Sequence, residues 1–98
     1  MSRVAIVTGG TRGIGRAICE RLRDERGFTI IANYAGNDDA ARRFTEETGI
    51  ATARFDVGDH DAVVGACKAI EAEYGAIDVV VNNAGITRDG TLLKMSYE

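Results

Sequence analysis

The stretch VTGGTRGIG, residues 7–15, places Gly9, Gly10, Gly13 and Gly15 directly after an apolar run. Glycine weakens helix and strand interiors, so such a cluster marks a turn where the backbone must approach something closely. A strand-to-helix turn of this kind offers backbone N–H groups and the positive end of a helix dipole, from about Gly13, to an anion such as a pyrophosphate. The spacing Gly9-x-x-x-Gly13-x-Gly15 is not the GxGxxG dinucleotide fingerprint. It is not a P-loop either. Gly10 and Gly15 are correctly separated, but Arg16-Ala17 follows instead of a lysine and a magnesium-binding hydroxyl. The alternative is a glycine-rich connector with no ligand. A second loop, NNAGITRDG, residues 82–90, also follows an apolar run. Asn82 and Asn83 there offer short amides able to tie a loop to a neighbouring strand, and Gly85 permits tight approach.

The elements that must hold these loops alternate regularly. Val4–Thr8 reads as a buried parallel strand. Ile14, Ala17, Ile18 and Leu22 recur at helical spacing, with charged residues between them, until Gly27. Phe28–Asn33 reads as a second strand and Asp38–Thr48 as a second helix closed by Gly49. The more polar Ile50–Phe55 reads as an edge strand. Asp59 caps a third helix carrying Val63, Ala66, Ile70 and Tyr74, which stops at Gly75. Ile77–Val81 is a fourth strand. Strands separated by such helices run parallel with right-handed crossovers. The expectation is α/β: the N-terminal half of a Rossmann-type doubly wound parallel sheet, β-α-β-α-β-α-β, with strand order 3-2-1-4. The order reverses between the first and fourth strands, so the ligand crevice lies at their carboxyl ends. Both unusual loops fall there.

Composition narrows the class. The 98 residues carry 28% charged residues and a net charge of −3, which gives no electrostatic footprint for nucleic acid or an anionic membrane. No apolar run approaches the roughly 18–20 residues of a membrane span, and Met1–Arg3 leads straight into a strand with no secretory signal. Cys19 and Cys67 read as free buried thiols suited to a reducing cytoplasm, and His60, the one histidine, as a surface residue at a helix start.

TGGTRGIG resembles the TGxxxGxG cofactor loop of short-chain dehydrogenases/reductases, and NNAG resembles their second hallmark. The two motifs both end strands, and the resemblance spans residues 1–98 as the N-terminal cofactor-binding part of one such domain. It implies that Gly9, Arg12, Gly13, Ile14 and Gly15 take the phosphate end of the cofactor. Asp56 and Val57 would hold adenine, Asn83, Ala84, Gly85 and Ile86 would line the nicotinamide ribose, and Asn82 would help hold the central strand. Asp89 is either a contact of the acyl substrate or a surface-loop acid. A fold that prefers NAD usually ends its second strand with an acid. Here the strand ends Ala32-Asn33-Tyr34-Ala35 with no acid until Asp38, so Asn33 and Ala35 flank the ribose without a carboxylate. In the family a basic residue at the position of Arg12 goes with NADP, so the implied cofactor is NADP(H). The alternative is that Arg12 is a solvated loop arginine.

The looser matches ANYAGNDDAARRF and NNAGITRDGTLLKM are similar to acetoacetyl-CoA reductases of polyhydroxyalkanoate synthesis, and next to 3-oxoacyl-(acyl-carrier-protein) reductases. The resemblance implies NADPH-dependent reduction of acetoacetyl-CoA to 3-hydroxybutyryl-CoA, an acyl-CoA substrate, a homotetramer and a cytoplasmic location. Ketone reduction needs a proton donor to the developing alkoxide, which the family supplies with a Ser and a Tyr-x-x-x-Lys pair. Tyr34 is followed four positions on by Asp38, Tyr74 by Asp78, and Tyr97 stands at the end of the sequence. Those groups are therefore expected beyond residue 98, in a longer enzyme. A short dinucleotide-binding module without catalysis is the rival.

Overall fold

The computed structural model describes residues 3–83. Its elements are β1 (Val4–Val7), α1 (Gly13–Arg26), β2 (Thr29–Tyr34), α2 (Asp38–Thr48), β3 (Ala51–Arg54), α3 (His60–Tyr74) and β4 (Ile77–Val81). The four strands form one sheet in the order β3-β2-β1-β4, with each neighbouring pair parallel. This is the expected half of a doubly wound sheet, with the more polar β3 at an edge.

Strand alternation divides the core between the two faces. Ala5, Val7, Ile30 and Ala32 pack with Cys19 of α1 and Phe44 of α2 on one face. Val4, Ile6 and Ile31 pack with Phe55 and with Ile70 of α3 on the other. Phe44 is only 1% exposed and anchors α2, a burial worth about 1.5–3 kcal/mol. Gly10 lets α1 sit close to the sheet, since a Cβ there would lie 3.0 Å from both Cys19 Sγ and Ala32 Cβ.

The β1–β4 pairing shifts register, with Val4 opposite Ile77 but Ala5 opposite Val79. The skipped residue, Asp78, turns its carboxylate to the break and accepts the Val4 N–H at 2.8 Å. A ladder hydrogen bond lost to the bulge is thereby replaced by a side chain.

One helix face differs from the sequence expectation. Ile14 is 74% exposed and Ala17 is also exposed, while Gly15 and Cys19 form the buried line of α1, flanked by half-buried Ile18 and Leu22. The stripe is rotated because Gly15 must face the glycine loop, which leaves Ile14, one position earlier and about 100° around a 3.6-residue turn, pointing outward. Tyr74, at the last turn of α3, is likewise 37% exposed rather than part of the core line. His60 is an exposed first residue of α3, as expected.

Candidate functional site

The three helices begin differently. Asn37 caps α2 by accepting the Ala40 N–H at 3.0 Å, and Asp59 caps α3 by accepting the Ala62 N–H at 3.1 Å. Both helices also carry an acid in the first turn. Helix α1 has Arg12 at its N-cap with no side-chain cap and no acid in the first turn. The first bond of its ladder runs from Arg16 N–H to Arg12 C=O. The N–H groups of Gly13, Ile14 and Gly15 therefore have no acceptor within the helix. Arg12 is exposed and forms no ion pair among the described residues, whereas Arg16, Arg23, Arg42 and Arg54 each do. The start of α1 thus combines unpaired donors, the positive end of a dipole and an uncommitted cation.

The glycine loop itself is held from two sides. On the β2 side, Asn33 is 2% exposed, and its backbone and side chain each engage the loop. Gly10 N–H donates to Asn33 C=O at 3.0 Å, and Gly9 N–H donates to Asn33 Oδ1 at 3.2 Å. Asn33 Nδ2 donates onward to Phe55 C=O at 2.9 Å, the residue before Asp56. On the β4 side, Asn83 Nδ2 donates to Gly9 C=O at 3.2 Å, and the Asn83 N–H donates to Thr8 Oγ1 at 2.9 Å. Thr8 N–H in turn donates to Val81 C=O at 3.0 Å. Gly9 and Gly13 adopt φ of 62° and 60°, the left-handed region that favours glycine. Gly15 is required for packing instead: a Cβ there would run into Gly9 C=O and come within 2.8 Å of Asn83 Nδ2. The Cβ side of Gly13 is open, with nothing within 4 Å.

The remaining sequence candidates surround this loop. Ala35 is exposed just after β2, and its carbonyl accepts Arg54 Nε–H at 3.3 Å. Asp56 closes the turn after β3, with Oδ1 accepting the Gly58 N–H at 2.8 Å and its carbonyl accepting the Asp59 N–H at 3.0 Å. Val57 is half-buried against the α3-side core. Hydrogen bonds therefore join Gly9, Asn33 and Asn83 directly and reach the neighbour of Asp56. Ala84, Gly85, Ile86 and Asp89 lie outside the described residues.

Beneath the loop, Cys19 is fully buried with Sγ 3.6 Å from Gly10 C=O. Burial, helped by the charge of Glu20, pushes its thiol up to about 12. It is an inert packing group, as its sequence setting suggested. At the rim, the phenol of Tyr34 is raised above its usual range by its hydrogen bond to Asp38, with burial adding to it.

The family model described as short chain dehydrogenase matches residues 3–98. The chain belongs to the short-chain dehydrogenase family. It is 59% identical over 96 residues to an acetoacetyl-CoA reductase of Paracoccus denitrificans, covering 98% of this chain and 39% of that protein. It is 41% identical over 103 residues to a 3-oxoacyl-(acyl-carrier-protein) reductase of Staphylococcus aureus, covering all of this chain and 42% of that protein. The chain thus spans about two fifths of the length of these curated relatives. Among solved structures, the F189W actinorhodin polyketide ketoreductase with NADPH superposes with a TM-score of 0.77 at 35% identity, over 86% of this chain and 33% of that one.

Two roles in this family member were not read from sequence: how Asn33, expected beside the ribose, holds the glycine loop, and the pairing of Arg54 with Asp38. Asn33 stands among apolar β2 residues, and a polar side chain in such a run is a signal of a buried hydrogen-bonding role. Arg54, at the end of β3, and Asp38, at the start of α2, meet only in the folded chain.

Proposed function

We propose that residues 1–98 are the N-terminal cofactor-binding part of an NADPH-dependent reductase of 3-oxoacyl thioesters, which converts acetoacetyl-CoA to 3-hydroxybutyryl-CoA. The observation that carries this reading is the uncapped start of α1, where unpaired N–H groups stand beside Arg12. It lies at the carboxyl ends of β1 and β4, where the strand order reverses. The cradle fits a pyrophosphate: the space beside Gly13 is open, and Gly15 keeps the loop narrow where a Cβ would collide with Gly9 C=O.

A nicotinamide dinucleotide bound here supplies the hydride. The chain's own residues bind and orient it. In this reading the N–H groups of Gly13, Ile14 and Gly15 take the pyrophosphate, and Gly9 shapes the loop while its own N–H is held by Asn33. Arg12 takes the 2′-phosphate, with Ala35 beside that ribose. Asp56 retains a second carboxylate oxygen for the adenine amino group, with Val57 alongside. Asn83, Ala84, Gly85 and Ile86 line the nicotinamide ribose, and Asp89 meets the acyl substrate. The higher identity to the acetoacetyl-CoA reductase, 59% against 41% for the acyl-carrier-protein enzyme, favours the CoA thioester. By the same resemblance the whole enzyme is a cytoplasmic homotetramer, with the proton-donating groups beyond residue 98. No described helix is long and apolar enough to cross a membrane.

The test uses the full-length protein. NADPH oxidation with acetoacetyl-CoA and with the acetoacetyl thioester of acyl carrier protein is expected to give the higher kcat/KM for the CoA thioester. Arg12→Ala is expected to weaken NADPH binding by about tenfold, the value of one charge contact near a surface, and to leave NADH binding within twofold. Unchanged NADPH affinity in that variant overturns the role of Arg12. Absence of reduction with either thioester overturns the activity.

A further inference from the structure

The rim of the cradle beside β2 carries two acids, Asp38 and Asp39, in the first turn of α2. Asp38 is the first acid after β2 and lies a few residues past the roughly 20-residue distance at which an acid in a dinucleotide fold engages the ribose hydroxyls and disfavours a 2′-phosphate. Neither acid is uncommitted. Asp38 Oδ2 pairs with Arg54 Nη1 at 3.0 Å, and Asp38 Oδ1 accepts the Tyr34 hydroxyl at 2.9 Å. Asp39 Oδ1 pairs with Arg42 Nη2 at 2.6 Å. Arg54 also donates through Nε to Ala35 C=O at 3.3 Å, so one guanidinium holds both the loop after β2 and the acid that follows it. The end of β2, just before that loop, is fixed against the glycine turn by the two Asn33 contacts to Gly9 and Gly10. With Asp38 and Asp39 each matched by an arginine, Arg12 is left as the excess charge at this end of the cradle.

We propose that Arg54 is a specificity-determining residue, which admits a 2′-phosphate by neutralising Asp38 rather than by touching the phosphate. The assignment rests on the NADPH reading above and deepens it. Tyr34 assists by donating to the other carboxylate oxygen, so that both oxygens of Asp38 are already engaged and the phosphate does not face its full charge. The pair is exposed, with 57% of each side chain accessible. It therefore adds little to stability, and its consequence is electrostatic.

The experiment is a double-mutant cycle in the full-length protein, reading dissociation constants for NADPH and NADH by fluorescence titration. Arg54→Met is expected to weaken NADPH binding about tenfold, the value of one uncompensated charge near a surface, and to leave NADH within twofold. Asp38→Asn is expected to strengthen NADPH binding by about threefold on the same electrostatic scale. In the Asp38→Asn background, Arg54→Met should cost no more than about threefold, because the carboxylate it uncovers is gone. Arg54→Lys should retain most of the wild-type preference. Melting temperatures without cofactor should stay close to wild type in all four proteins, which separates this effect from a folding defect. Equal losses from Arg54→Met in both backgrounds overturn the proposal, because Arg54 would then act on the phosphate directly. If the wild type binds NADH as tightly as NADPH, the cofactor reading fails instead, and the cycle in NADPH affinity still decides the coupling between Arg54 and Asp38.

Discussion

Asn33 ties the glycine loop to the end of β3, so its replacement should disturb the cradle from beneath. Its Oδ1 accepts the Gly9 N–H at 3.2 Å, and its Nδ2 donates to Phe55 C=O at 2.9 Å. The orientation of the amide follows from its partners, since a flipped amide would set an NH2 group against the Gly9 N–H. Asn33→Ala strands both groups. Gly9 is half-buried and its N–H can recruit water, so that loss is near the low end, about 1 kcal/mol. Phe55 is 8% exposed, so its carbonyl bears a larger penalty, about 2–3 kcal/mol. The sum, about 3–4 kcal/mol, is a large part of the 5–15 kcal/mol typical of a domain.

Asn33→Asp gives the sharper test. It keeps the acceptor for Gly9 but puts a carboxylate oxygen against the Phe55 carbonyl, where only the protonated form can donate. Burial and this repulsion raise its folded pKa above the unfolded value of about 3.9. The stability of the neutral form is then fully present below about pH 4 and is lost as pH rises through the folded pKa, at about 1.4 kcal/mol per pH unit. Urea unfolding of the full-length wild type and variant should show a gap that widens between about pH 5 and pH 7 by about 2–3 kcal/mol. NADPH affinity of the variant should recover toward the lower pH. A gap that does not change with pH would refute the assigned hydrogen bonds.

Gly15→Ala forces a Cβ onto Gly9 C=O; the expected result is loss of measurable NADPH binding together with a lowered melting temperature. Gly13→Ala meets open space and only the strain of φ 60°, so it should cost about 1–2 kcal/mol. Asp78→Ala removes the acceptor of the buried Val4 N–H and should lower urea stability by about 1–2 kcal/mol without changing NADPH affinity. Cys19, with its thiol pushed up to about 12 in a fully buried site, should resist alkylation of the native protein near pH 8 and react only as the chain unfolds. Labelling of native Cys19 as fast as a free thiol would contradict its placement under the glycine loop.

The sequence by itself determined the order of elements, the parallel sheet with its strand order, and the meeting of the two loops. These follow from local signals: apolar runs, the cap at Asp59, the stops at Gly27, Gly49 and Gly75, and the short connections that force right-handed crossovers. It also located the start of the first helix at about Gly13, directly after the glycine loop, whereas the missing side-chain cap at Arg12 came from the structure. The rotation of α1 was not legible, since Ile14 and Ala17 keep a helical spacing that matches an apolar face. Only the packing of Gly15 against Gly9 and Asn83 turns that face outward. Tertiary structure alone also gave Asn33 its two loop partners, 24 residues before it and 22 after it. It likewise brought Arg54 to Asp38 across 16 residues of chain. A side chain's type reports which bonds it is able to make, and the fold decides which partners, distant in sequence, stand within reach of them.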